Sequence, residues 1–178
     1  SVYFSDSYHD QSRKITEPGN AVNILTVGSF NSKNSWIDVN NHNQPWYNTL
    51  FNPDHYVIGG ISHFSSQGPV RVDVNRYGDP SDKPDVYAPG AWISSSKSST
   101  ASIYSPLVSI DNRHYHAYGT SMSAPHVAGA CALALDLNPN LLTGNIKNIL
   151  RAQTARFLDV EELIYDLFGI YVQSNIST

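Results

Sequence analysis

The sequence predicts an α/β fold in which strands of a parallel sheet are followed by packed helices. Residues 21–29 form a short apolar run rich in β-branched side chains, with Pro18-Gly19 before it and Gly28 at its end, as is typical of a buried parallel strand. Residues 123–137 are small or apolar on almost every helical face, which predicts a fully buried central helix. Because strand patterns come first and helical patterns last, we expect helices packed on a sheet.

The first two thirds of the chain alternate between short strand patterns and polar loops. Residues 1–20 are polar and turn-rich and indicate a loop. The polar, aromatic stretch 30–55 has no helical period and indicates a long surface insertion. Further along, we expect a glycine-broken strand and loop at 57–69, two short strands around Pro89-Gly90, and a hairpin that pairs 103–110 with 114–119.

The central helix has clear end signals. Pro125 falls in its first turn, where a missing N–H group is tolerated, and Asn138-Pro139 follows Leu137 and ends the helix. We therefore expect a helix over Ser123–Leu137.

Two further helices are expected after it. Thr143 is placed to cap the first of them, in which Ile146, Ile149 and Leu150 lie at helical spacing. The second is expected to run from Asp159 to about Gly169, with Glu162 completing an aspartate variant of the capping box.

Length and composition limit the functions that the chain can have. Its 178 residues and 40% hydrophobic content fit one domain with a real core. The net charge is −4 and Lys and Arg form no cluster, so nucleic acid is not an expected partner. No run approaches the roughly 18–20 apolar residues of a membrane span. The single Cys131 excludes an internal disulfide framework and is expected to be a buried, unreactive thiol.

Ser121 stands at the predicted entrance of the central helix. The first backbone N–H groups of a helix lack partners, and the helix dipole favours negative charge there. If the Ser121 hydroxyl attacked a carbonyl, the resulting oxyanion would lie near the Ser121 N–H, with the Thr120 hydroxyl as a second, more distant donor. The alternative is that Ser121 or Ser123 is simply the N-cap of the helix.

The surrounding motifs distinguish these readings. The run GTSMSAPHVAGA at 119–130 resembles the serine motif of the subtilases, the subtilisin-like serine proteases, whose usual form has Ala where this chain has Ser123. Segments 64–69 (FSSQGP) and 83–90 (KPDVYAPG) are similar to two further elements of that family, in the family's order. Other similar segments are 17–29, 138–156 and 158–164.

The resemblance implies a partial subtilisin-like fold whose central helix starts at the serine motif. It also implies a serine endopeptidase that forms an acyl-enzyme on Ser121. In subtilases the catalytic Asp and His precede the serine along the chain, and they and the oxyanion Asn lie upstream of the segments matched here. Residues 1–178 thus resemble the C-terminal portion of a single catalytic domain, with a surface insertion at about 30–55, and the chain alone is expected to be inactive.

Other expectations also follow from the resemblance. The substrate would be a polypeptide, and Thr16 and Glu17 match positions beside the substrate pocket, where the Glu17–Pro18 bond is expected to be cis. No cofactor is required and no catalytic metal is expected, although family members often bind structural calcium. Family members are mostly extracellular or at the cell surface. A missing N-terminal half would leave apolar surface or an open strand edge, so the isolated chain is expected to self-associate or to expose an apolar face.

Three alternatives stay open at this point. His63, His114 or His116 would be the base if the chain were active alone, whereas the resemblance makes His126 structural, and His9, His42 and His55 show no zinc-binding spacing. The chain would otherwise be a non-catalytic scaffold that binds a protein or peptide. The aromatic and amide side chains of 34–51 suit a sugar-binding surface, against which stands an insertion that packs its own Trp residues on the domain.

Overall fold

A computed structural model describes residues 14–45, 57–70, 83–153, 156–161, 163, 166 and 167. Residues 1–13 of the predicted 1–20 loop, residues 46–55 of the 30–55 insertion, and Glu162 and Gly169 lie outside these residues. The described strands are β1 (Val27–Asn31), β2 (Ser35–Ile37), β3 (Asn43–Pro45), β4 (Val86–Ala91), β5 (Ile93–Ser96) and β6 (His114–Ala117). The helices are α1 (Thr120–Leu137) and α2 (Thr143–Ala152), and a short 3₁₀ turn covers Ser105–Leu107.

Strands β1 and β4 form the parallel pair that supports the helices. They run in register from Val27 opposite Val86 to Phe30 opposite Pro89. The predicted parallel strand is confirmed, although it begins at Val27 rather than at residue 21. Phe157 adds a parallel bridge to Tyr87 on the outer side of β4. A mixed α/β architecture with parallel pairing is therefore present, as the sequence predicted.

The second layer is antiparallel. Strand β5 pairs with β6, and β2 pairs with β3 as a hairpin inside the insertion. Isolated bridges connect the two pairs, from Asp38 to Ser109 and from Val108 to Tyr115. The predicted hairpin between 103–110 and 114–119 is thus reduced to the single bridge from Val108 to Tyr115, and the ladder partner of β6 is β5.

The break between β4 and β5 was predicted at the wrong residues. Strand β4 continues through Pro89 and Gly90, and the chain turns at Trp92, whose φ is 59°. Proline lacks the N–H of a ladder hydrogen bond, yet β4 continues through Pro89, which lies opposite Phe30 of β1. The turn at Trp92 aims its ring into the second layer.

Helix α1 packs on the parallel pair through one face. Its buried residues Ser123, Val127, Ala130 and Ala134 face a core that includes Val86 and Ala88 of β4. The prediction of a helix buried on every side is wrong for the described residues, because Leu133, Leu135 and Leu137 are 41–48% exposed. The expected exposed apolar face is therefore present.

The remaining helical residues complete the hydrophobic core. Helix α2 contributes Ile146 and Leu150, and described residues between 160 and 167 are helical and contribute Leu163 and Leu167. Thr143 is the first helical residue of α2 rather than its cap. The side-chain oxygen of Asn145 instead accepts the Leu142 N–H at 3.2 Å.

The environment of Cys131 and the length of the helices also bear on the predictions from sequence. Cys131 is half-buried beside the core rather than fully buried, and burial raises the pKa of its thiol, which keeps it protonated and unreactive. In the part of the chain that the structure describes, no helix has the length and apolar character to cross a membrane.

Candidate active site

The turn before Ser121 is anchored on β4. Gly119, with φ of 139°, donates its N–H to the Gly90 carbonyl at 2.8 Å and accepts the Met122 N–H at 2.9 Å. A side chain at Gly90 would meet the Ser123 hydroxyl at 2.1 Å and the Ser29 hydroxyl at 2.3 Å. Glycine at position 90 is therefore required for the close approach of α1 to β4.

Ser121 is exposed in the first turn of α1. Neither its hydroxyl nor its N–H has a hydrogen-bond partner among the described residues. The half-buried Thr120 begins the helix one residue earlier. An exposed hydroxyl beside open first-turn donors is the arrangement that can attack a carbonyl and stabilise the oxyanion that forms.

The capping alternative for these serines is wrong. The N-cap residue of α1 is Gly119, and no side chain caps the helix. Ser123 lies inside the helix, fully buried, and its hydroxyl lacks a partner in the described part of the chain. Its hydroxyl instead lies against Gly90, so it packs at the junction with β4.

The described histidines are engaged elsewhere. His116 is buried, with Nε2 3.0 Å from the Ser109 hydroxyl, and His114 pairs through Nδ1 with the Asp111 carboxylate at 2.5 Å. His126 is exposed, not buried with its helix, and its Nδ1 lies 2.8 Å from the Met122 carbonyl. His63 is exposed and packs edge-on against Phe64. His42 is exposed and lies 3.8 Å from the Asp38 carboxylate. None of the described imidazoles forms a hydrogen bond with Ser121, while His9 and His55 lie outside the described residues.

Burial lowers the pKa of His116. Desolvation, with a smaller contribution from the Lys33 charge, holds its pKa below the ordinary value, and the charge of Asp111 partly opposes that shift. The ring is thus neutral near pH 7 and serves packing between Ser109 and the insertion.

Thr16 and Glu17 lead into a turn beside the FSSQGP loop. The Lys14 N–H donates to the Gln67 carbonyl at 2.9 Å, and the Thr26 hydroxyl donates to the Gly19 carbonyl at 2.5 Å. The Glu17–Pro18 bond is cis, which confirms that prediction. In the described ranges no hydrogen bond or ion pair joins Thr16 or Glu17 to Ser121, so their pocket role stays a prediction.

A buried ionic cluster that the sequence analysis missed lies under β4. The fully buried Asp85 carboxylate accepts the Thr26 N–H at 2.8 Å and the Lys83 ammonium at 2.6 Å. Lys147 and Arg151 of α2 approach its other oxygen at 3.3 and 3.8 Å. Burial lowers the pKa of Lys83, and the Asp85 charge opposes that shift. The cluster ties α2 to the entries of β1 and β4; the Lys-Pro-Asp sequence was the available signal.

An aromatic stack, also missed, connects the insertion to the serine turn, which is the segment 118–121 that leads into α1. Ring centroids are 4.7 Å apart for Trp36 and Trp92, 4.8 Å for Trp92 and Tyr118, and 5.5 Å for Tyr118 and Phe64. The Trp36 ring also packs on His116 at 4.7 Å and donates its Nε1–H to the Pro106 carbonyl at 2.7 Å. Trp36 therefore packs on the domain, as the alternative to a sugar-binding surface predicted.

Metal ligands are not assembled in the described ranges. No group of three or more His, Cys, Asp or Glu side chains lies close enough there to hold an ion. Structural calcium stays a prediction.

A model of the subtilase family matches residues 7–168. The chain belongs to the subtilase family. The curated relatives include serine protease AprX of Bacillus subtilis, 29% identical over 93% of this chain and 32% of AprX. They also include the epidermin leader peptide-processing serine protease EpiP of Staphylococcus epidermidis, 30% identical over 70% of this chain and 22% of EpiP.

The structural comparison supports a partial subtilisin fold. A protease structure from Pseudoalteromonas arctica matches 85% of this chain and 38% of its own length, with a TM-score of 0.51 and 21% identity. The chain spans about a third of the length of AprX. This subtilase chain therefore matches only part of the length of these relatives.

Proposed function

We propose that this subtilase chain carries the nucleophile of a serine endopeptidase, with Ser121 attacking the carbonyl carbon of a peptide bond. The observation that carries the proposal is an exposed Ser121 in the first turn of α1, whose hydroxyl and N–H have no partner among the described residues. The helix dipole and the first-turn N–H groups favour the oxyanion of the tetrahedral intermediate. The Thr120 hydroxyl is the second proposed donor.

The proposed reaction has two halves. A base removes the Ser121 proton as the oxygen bonds to the carbonyl carbon, and the same proton is then given to the leaving amine as the peptide bond breaks. The acyl-enzyme on Ser121 is hydrolysed by water in the second half. The substrate class is polypeptide, and Thr16 and Glu17 are proposed to lie beside the pocket for the residue before the cleaved bond.

The base is proposed to come from outside this chain. None of the described imidazoles forms a hydrogen bond with Ser121, so we assign the catalytic His, its orienting Asp and the oxyanion Asn to the part of the domain that would precede residue 1. Residues 1–178 would then be the C-terminal portion of one catalytic domain, with the insertion at about 30–55. An extracellular or cell-surface location and structural calcium are proposed on the family resemblance alone.

Removal of the nucleophile tests this function. In a protein that includes the preceding segments, Ser121→Ala is expected to lower kcat by about 10⁴- to 10⁶-fold and to abolish labelling by a serine-directed phosphonate. Ser98→Ala, at another exposed serine, is the matched control and should retain both.

The isolated chain supplies the second arm. Its 178 residues are expected to hydrolyse no peptide or ester and to label poorly, because a serine without a base is a weak nucleophile. Efficient labelling that Ser121→Ala removes would place a base within the chain. An inert longer protein would favour the non-catalytic scaffold.

A further inference from the structure

Segment 90–92 holds the serine turn at two adjacent points. The Gly90 carbonyl accepts the Gly119 N–H at 2.8 Å, and the Trp92 ring packs against Tyr118 at 4.8 Å between centroids. Both contacts fall within three residues of Ser121. The position of Trp92 therefore bears directly on the backbone that presents Ser121.

Trp92 adopts a conformation that needs support. Its φ of 59° lies in the left-handed region, which bulky side chains rarely occupy unless surrounding packing holds them there. The side chain is 2% exposed. Trp36 covers one side of it, at 4.7 Å between centroids and an interplanar angle of 34°.

Trp36 is itself anchored independently of Trp92. Its Nε1–H donates to the Pro106 carbonyl at 2.7 Å. On either side of the buried Asp38, Ile37 accepts the Ile110 N–H at 3.1 Å and the Val39 N–H donates to the Val108 carbonyl at 2.9 Å. The hairpin β2–β3 is therefore seated on segment 106–110 and can hold Trp36 in place.

We propose that Trp36 is a positioning residue: the hairpin β2–β3 holds Trp92 through Trp36, and through Trp92 and Tyr118 it sets the turn that presents Ser121. The kinetic consequence rests on the proposed peptidase function. The insertion then contributes to turnover without touching substrate, because a small misplacement of a nucleophile costs on the order of 10²-fold in rate.

Three variants of the complete protease separate this role from a merely structural one. Trp36→Ala removes the ring and the hydrogen bond, whereas Trp36→Phe keeps an aromatic face. Ile37→Ala is the matched control, since Ile37 follows on the same strand and is 42% exposed. Rates are taken per phosphonate-titrated site, so that misfolded molecules do not count.

The expected result is a split between kcat and KM. Trp36→Ala should lower kcat at least about tenfold with KM changed less than about twofold, Trp36→Phe should restore kcat to within about threefold, and Ile37→Ala should match the parent protein. If Trp36→Ala does not fold, Trp36→Leu replaces it as a non-aromatic filler. Unchanged kcat in the non-aromatic variant, or an equal loss in Ile37→Ala, overturns the proposal.

A spectroscopic arm keeps the two proposals distinguishable. The amide NMR shifts of Gly119, Thr120 and Ser121 should move in the non-aromatic Trp36 variant and stay in place in Ile37→Ala. Absence of that movement overturns the coupling even if the protein is an active protease. If Ser121→Ala leaves hydrolysis intact, the peptidase function fails, while the movement of the amide shifts still decides the coupling.

Discussion

The hairpin β2–β3 and helix α1 differ in how many of their polar groups and apolar side chains find partners within this chain. In the hairpin, the buried Asp38 carboxylate accepts hydrogen bonds from the Asn40 and His42 backbones and the Gln44 amide, all at 2.8–2.9 Å. Burial alone would raise the pKa of Asp38, but these donors together hold it below its ordinary value. Helix α1, by contrast, is packed along one face while leucines stand exposed on others.

This difference distinguishes an inserted hairpin, which is packed by this chain, from a core helix whose apolar surface this chain covers only in part. The hairpin finds its partners within the described residues, so it can be seated by this chain alone. A helix that is apolar all round is suited to the interior of a larger body. The exposed leucines therefore support the proposal that preceding segments of a subtilase domain cover α1.

The largest expected effect is a loss of stability when the packing between α1 and β4 is disrupted. Gly90→Ala should lower the free energy of unfolding by about 3 kcal/mol or more, because the new methyl group overlaps the Ser123 and Ser29 hydroxyls. Gly129→Ala is the control on the open side of the same helix, where a Cβ meets nothing within 4 Å, and should stabilise by about 0.5–1 kcal/mol. Urea unfolding measures both; equal effects would contradict the contrast between the two sides.

The next effect concerns association. The isolated chain is expected to self-associate through the exposed leucines, and replacing Leu133 and Leu137 by Lys should weaken that association at least tenfold, or about 1.4 kcal/mol. Sedimentation over a range of concentrations measures this. Val57→Lys, at another exposed apolar residue, is the control. A chain that is monomeric throughout, or equal weakening by the control, would count against the leucine face.

The smallest expected effect concerns His116 of β6, on which Trp36 of the hairpin packs. Because burial lowers the folded-state pKa of His116, the unfolded chain binds the proton more readily, and stability should fall as pH drops below about 6.5. Urea midpoints at pH 7.5, 6.5 and 5.5 test this. His116→Gln should flatten the dependence, and the exposed His126→Gln should not. Asp38 and Asp111, whose pKa values are lowered, act below this window. An unchanged slope in His116→Gln would refute the assignment.

Local signals were sufficient for several features. The β-branched run predicted β1, the apolar stretch and Asn138-Pro139 predicted the body and end of α1, and the motif around Ser121 predicted a helix entrance. The Glu17–Pro18 geometry also followed, through the resemblance. These features depend on neighbours along the chain, where period, proline and glycine act.

The contacts between segments distant along the chain were not predictable from such local signals. The turn at Trp92 rather than at Pro89-Gly90, the pairing of β6 with β5, and the Asp85 cluster all join residues far apart in sequence. A strand pattern reports which faces are apolar but not which edge lies beside it. An aromatic residue in a polar stretch likewise reports nothing about the ring on which it packs.

The sequence by itself determined that Ser121 stands at the start of a helix and that this helix is apolar on nearly all sides. Both properties depend only on residues that are close together along the chain. The tertiary structure decided which side of α1 is packed, by laying β4 against Ser123, Val127, Ala130 and Ala134. It also decided that Trp36 lies on Trp92, which no local pattern specifies. Burial and ring packing arise between segments distant along the chain, so they exist only once the fold has brought those segments together.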